Sequence, residues 1–198
     1  FLTNYMPAQR QKNKFDVEHI RAANPNIIYA RGSAYGDKGA ERDTGGFDGT
    51  AFWTRSGIGH ALTPERIDGA LSQGIPAFGD SIGGMNIAGG ISAALFHRER
   101  TGEGQFIEVP MLECVTSFNL VEHFCDQTLV PPTGGWGYAR QLDPVRQPMR
   151  SSDGWLSVAP YLDERWQRFF QAVDRPDMFQ RPSLATKDLR RQNMAEMY

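Results

Sequence analysis

Residues 79–109, GDSIGGMNIAGGISAALFHRERTGEGQFIEV, decide how this chain is read. From Gly83 to Arg100 the residues Ile87, Ile91 and Leu95 recur at i, i+4 and i+8, the spacing of one helical face. Ala88, Ala93, Ala94 and the Gly89–Gly90 pair occupy much of the remaining surface. A helix that is apolar and small-sided nearly all round is expected to be buried and closely packed. TGEGQ supplies its stop, and Phe106, Ile107 and Val109 then alternate as a strand does.

Outward from this segment the chain reads as α/β. Phe1–Tyr5 ends a strand broken at Pro7, and a polar stretch rich in Lys and Gln follows. Asp16 is placed to cap a helix over Val17–Ala23 that NPN closes, and Ile27–Gly32 is a short apolar strand. Gly36–Gly49 is a charged, glycine-rich loop, Thr50–Ile58 is ambiguous between helix and strand, and Gly59–Pro76 reads as a polar surface excursion. Leu112–Cys125 forms a second apolar helix. SSDGW makes a tight turn between strands, and Glu164–Val173 is an amphipathic helix presenting Trp166, Phe169, Phe170 and Val173. DLRRQNMAEMY is one further helix. Helix followed by strand favours a layered, partly parallel sheet. The expected domains are 1–128, a linker over 129–150 without periodicity, and a smaller unit over 151–198. From the abrupt start at FLTNY and the stop within a helix, the chain is expected to be a fragment.

Charge and composition narrow the function. A formal net charge of -2 in 198 residues argues against a nucleic-acid binder. No apolar run is long enough to cross a bilayer, so no membrane role is expected. Cys114 and Cys125 are too far apart for a CxxC motif and read as reduced thiols of a cytoplasmic protein. His19, His60, His97 and His123 are scattered without metal-ligand spacing, so no metal is expected.

Asp80 follows the apolar approach IPAFG and opens the small-residue helix. The positive end of a helix keeps a carboxylate there ionised, and Gly79, Gly83 and Gly84 leave room for a ligand against the backbone. Such a carboxylate can serve as a covalent nucleophile toward an activated acyl group. The local pattern alone favours capping by Asp80 or Ser81, because caps are common and catalytic aspartates rare.

The ordered set GDSIGGMN, AGGISAALFHRERTGEGQ and FIEVPMLE resembles the class III CoA-transferases, the formyl-CoA and carnitine-CoA transferase family. TNYMPA and ANPNIIYARGSAYG upstream, and SSDGW with the Trp166 helix downstream, continue the resemblance over nearly the whole chain. It implies an incomplete Rossmann-like CoA domain running into a smaller α+β domain, with the family's first strands and helices lying before Phe1. It implies an interlocked homodimer acting on an acyl-CoA and a free carboxylic acid. In the implied chemistry Asp80 attacks the thioester to give an aspartyl mixed anhydride, then an aspartyl-CoA thioester.

The resemblance also implies roles for other residues. Asp48 falls at an acidic position beside the active site, where a loop Asx-turn is the alternative. Asn4 and Tyr5 match a pair at the nucleotide end of CoA, Lys12 a basic position near its phosphates, and Met111 a residue of the CoA channel. Phe47 stands where the family's racemases and epimerases carry a proton-exchanging histidine, and a phenyl ring cannot move a proton. His60 is nearby in sequence but sits in the polar excursion, which makes it a poor substitute. Racemisation of a 2-methylacyl-CoA is thus the second reading, and an inactive CoA-binding or dimerisation remnant the third. GGWGYARQLDPVRQP lacks the glycine run of formyl-CoA transferases, which speaks against formate or oxalate.

Overall fold

The computed structural model describes residues 1–63 and 74–198. Its first compact unit runs to Tyr138 and its second covers Ala139–Tyr198. The boundary falls inside the Gly- and Pro-rich stretch expected to be unperiodic, which also holds the short helix α6 (Ala139–Leu142) and strand β4 (Met149–Arg150). Most of the polar excursion read over Gly59–Pro76, residues 64–73, lies outside the described residues.

The first unit is built on a parallel sheet of β1 (Leu2–Thr3), β2 (Tyr29–Ser33) and β3 (Phe106–Pro110), in that order. Ala30 sits opposite both Leu2 and Ile107, and Arg31 opposite both Thr3 and Glu108. Between β1 and β2 lie α1 (Pro7–Lys12) and α2 (Val17–Ala23). The side chain of Asp16 accepts from the Val17 amide, the expected cap. The helix α1 replaces what the sequence offered only as a polar stretch after a breaking Pro7. Proline at the first helical position lacks only an N–H that has no intrahelical partner anyway, so it starts this helix.

The connection from β2 to β3 carries a π-helical turn over Asp48–Thr54, α3 (Ile58–Ala61) and the long α4 (Phe78–Thr101). The ambiguous TAFWT run therefore becomes helical, burying Ala51, Phe52 and Trp53. Phe52, Trp53 and Val115 of α5 (Met111–Phe124) form the core, joined by Ile58, Ile82 and Met111. Gly102 ends α4 in the left-handed conformation at φ 75°, donating to the Arg98 carbonyl, as the TGEGQ stop anticipates.

Two expectations for α4 are corrected. It begins at Phe78, five residues before Gly83, so Asp80 lies within its first turn and not ahead of it. It is also not buried all round. Only Gly79 and Ala94 are buried, whereas Met85 and Phe96 are 75% and 64% exposed. One face packs on β3, where Gly90 closes against Ile107, and no described residue covers the opposite face.

The second unit packs Trp166 and Phe170 of α7 (Asp163–Ala172) with Met178, Leu184 and Met197. Val173, expected on the same stripe, is exposed because the helix ends one residue earlier. β4 pairs antiparallel with β5 (Trp155–Leu156), and the Ser151 amide closes the SSDG turn on the Gly154 carbonyl. The terminal segment is two short helices, α8 (Lys187–Gln192) and α9 (Met194–Met197), split at Asn193, whose side-chain amide donates to the Ser183 and Leu189 carbonyls.

Candidate active site

Asp80 is the third residue of α4, and the four leading amides of any helix need outside acceptors. Ala77, at the N-cap, supplies no side-chain acceptor and adopts a left-handed φ of 61°. The acceptor comes from elsewhere. Asp48, at the start of the π-helical turn, takes the Gly79 N–H on its Oδ1 at 2.7 Å. A β-carbon on Gly79 would stand 2.4 Å from that oxygen, so only glycine admits this close approach. The alternative of Asp80 as cap therefore fails, and among the described residues nothing hydrogen-bonds its carboxylate. Asp48 is likewise no Asx-turn residue but a cap acting across 31 positions of sequence.

Asp80 faces a cavity of about 890 Å³ at the carboxyl ends of the sheet strands. Asn4, Tyr5, Phe47 and Met111 line it too, together with Gly83 and Gly84, one turn along α4 from Asp80. Five of the seven residues singled out from the sequence thus line one cavity. Asp48 is not part of its lining and sits on the Gly79 amide. Lys12 does not reach the cavity. It is exposed near the end of α1, and Arg10, two residues earlier on the same helix, lines the cavity instead. Phe47 is 81% exposed, an open apolar ring at the cavity. His60 packs its ring against His123 at 5.6 Å and lines no part of the cavity.

A model of the family described as CoA-transferase family III matches residues 1–198. The chain belongs to that family. Among its relatives within CoA-transferase family III, it is 28% identical to a probable fatty acyl-CoA transferase of Mycobacterium tuberculosis, Rv3272, over 99% of this chain and 52% of that protein. It is 32% identical to the cinnamoyl-CoA:phenyllactate CoA-transferase of Clostridium sporogenes, over 89% of this chain and 43% of that one. Human succinyl-CoA:glutarate CoA-transferase is 26% identical over 100% of this chain and 44% of its own length. The family III chain spans about half the length of the relatives it matches. The crystal structure of Rv3272 in its orthorhombic form superposes with a TM-score of 0.78 at 24% identity, over 99% of this chain and 51% of that one, a shared fold.

Sequence reasoning missed the charged residues Arg10, Arg31, Asp37 and Glu108 of the cavity lining. Arg31, 8% exposed in β2, pairs with Glu108 of β3 at 2.7 Å and with Asp37 at 3.4 Å. Ser33 Oγ donates to Glu108 and accepts the Gly36 N–H, so the loop after β2 is tied to the sheet. Burial pushes the Glu108 carboxyl above its ordinary range, Arg31 pulls against that, and Asp37 adds to the push. Arg10, 5% exposed, donates Nε to Asp16 at 3.1 Å. Burial would raise the Asp16 carboxyl, but the hydrogen bonds from Arg10 and Val17 and the charges of Arg10 and Arg31 outweigh it and hold it below the ordinary 3.8. The available signal was a lone opposite charge in each of two apolar strands, IIYARG and FIEVP. Buried charges that remain in such runs are paired.

Proposed function

We propose that this chain carries the nucleophile of an enzyme that moves CoA from an acyl-CoA to a free carboxylic acid, with Asp80 as that nucleophile. The observation behind it is a division of labour. Asp48 serves the helix amide, and the Asp80 carboxylate stands in the cavity wall at the positive end of α4.

In the proposed sequence an Asp80 oxygen attacks the thioester carbonyl carbon, the C–S bond breaks, and CoA leaves as thiolate. The mixed anhydride so formed is attacked by the thiolate at the Asp80 acyl carbon, expelling the first acid as carboxylate. The acceptor carboxylate attacks the resulting aspartyl-CoA thioester and displaces thiolate, which then attacks the acceptor's acyl carbon and releases Asp80. No net proton moves, and no step calls for a metal. One difficult exchange becomes four displacements between activated acyl groups.

Around this centre, Asn4 and Tyr5 meet the nucleotide end of CoA, Met111 and Phe47 flank its arm, and Asp48 fixes the turn that carries Asp80. Lys12 stays in the proposal only as an outer cation, because it is exposed at the end of α1 and does not line the cavity. The proposal extends to a Rossmann-like domain followed by a smaller α+β one, an interlocked homodimer, and a reducing cytoplasmic setting that suits the unpaired Cys114 and Cys125. Human and mycobacterial relatives named for succinyl and fatty acyl groups leave the acid's class open. Asp80→Ala in the full chain is expected to abolish transfer while CoA still binds, and mass spectrometry of the wild type with acyl-CoA should show a covalent CoA adduct that the variant lacks. Near-normal turnover of the variant ends the assignment.

A further inference from the structure

Tyr5 is held from three sides. Its amide donates to Thr3 Oγ1 at 3.2 Å, its carbonyl accepts from Arg10 NH1 at 2.5 Å, and its ring lies 5.5 Å from that of Phe15. The residue nevertheless remains 54% exposed and lines the cavity. An aromatic platform on a loop binds a flat base well only if its backbone is fixed beforehand, because ordering it on binding costs affinity.

Arg10 is what fixes it. Its guanidinium spans two acceptors at once, the Tyr5 carbonyl and Asp16 Oδ1, and Asp16 in turn accepts from Gln11 Nε2 and the Val17 amide, each at 3.1 Å. The planar fork of arginine suits that span, and the single ammonium of lysine does not. Stability alone does not explain a charge there. A buried ion pair costs about as much to desolvate as it returns, and an apolar pair packs as well.

We infer that Arg10 is a positioning residue for the nucleotide end of CoA, acting through the Tyr5 carbonyl. This rests on the reading of the cavity as a CoA site. It assigns to the first turns of the chain a role that Lys12, exposed on the same helix, does not fill.

The test compares CoA with pantetheine, which lacks the nucleotide, by titration calorimetry on the full chain. Arg10→Met combined with Asp16→Asn removes the charge pair without stranding a carboxylate, and Asn can still cap α2. Arg10→Lys keeps a cation beside Asp16 and loses the bond to Tyr5. Both variants are expected to keep the wild-type thermal midpoint within a few degrees and to bind CoA roughly tenfold more weakly, about 1.4 kcal/mol. Pantetheine affinity should not change. Undiminished CoA affinity, a parallel loss of pantetheine, or a wild type that binds no CoA would each overturn the inference. A wild type that binds CoA with this pattern yet transfers none retires the transferase proposal and leaves the role of Arg10 standing.

Discussion

Replacing Asp48 tests the geometry most directly, because one hydrogen bond ties the π-helical turn to the turn bearing Asp80. Asp48→Ala removes the 2.7 Å acceptor of the Gly79 amide, and Ala77 offers no substitute. Loss of a capping side chain costs roughly 0.5–2 kcal/mol. The charged acceptor and partial burial place this case toward the top, at about 1.5 kcal/mol. That is about a tenfold rise in opening of the first turn. Hydrogen exchange read by mass spectrometry over the first turn of α4 should show the corresponding loss of protection. Transfer by the full chain should fall by about 100-fold, the scale expected for a displacement near 1 Å at the reacting group. Asp48→Asn retains an accepting oxygen and should recover most of both. Gly79→Ala attacks the same contact from the other side, since its β-carbon would meet Asp48 Oδ1 and Phe52 Cγ, each at 2.4 Å. Unchanged protection in Asp48→Ala refutes the remote cap. An Asn variant with full protection and the rate of the Ala variant would instead show that Asp48 acts on the chemistry itself.

Two further outcomes follow from the charges and rings of the first unit. Because Asp16 is held below its ordinary 3.8, its contribution to stability is complete above that value and disappears as pH falls through the lower value of the folded state. Urea unfolding of Asp16→Asn should therefore differ most from wild type near neutrality and converge with it in acid, and a difference independent of pH contradicts the pairing with Arg10. Because the phenyl ring of Phe47 cannot move a proton, a chiral 2-methylacyl-CoA incubated with the full chain in deuterium oxide should gain no enzyme-dependent α-deuterium. Exchange above the enzyme-free rate means another base has taken over.

Local chemistry was legible in the sequence, and long-range pairing was not. The Asp16 cap, the Gly102 stop and the SSDG turn each depend on a few neighbouring residues, and the structure has them where the residues imply. The helix α1 escaped because QRQK carries no apolar stripe. Its anchor is Arg10, which bonds Tyr5 and Asp16 on either side. Burial of α4 was misread for a related reason. Periodicity reports which residues are apolar, whereas burial depends on what packs against them, and only the face near Ile107 and Phe52 meets other described residues. Asp48 illustrates the same limit at the site. Its acidity was visible, but its partner is 31 residues away, as Glu108 is 77 from Arg31. Only the fold brings such pairs together.

The placement of Asp80 also answers a chemical difficulty in the proposed sequence. A helix N-terminus stabilises a carboxylate by roughly 0.3–1 kcal/mol, and up to about 2 where partly buried. An anion stabilised in this way should be a weaker nucleophile. The cost is tolerable because the electrophile is a thioester, already activated. The gain comes in the final displacement, when Asp80 must depart from an anhydride, and a stabilised carboxylate departs more readily. A free capping aspartate would enjoy the same field, but its oxygens would be tied to the amides it serves. With Asp48 on the Gly79 amide, Asp80 keeps the field and leaves both oxygens available for the acyl carbon. The pairing of a remote cap with an unencumbered first-turn carboxylate thus suits a group that must attack and leave in the same cycle.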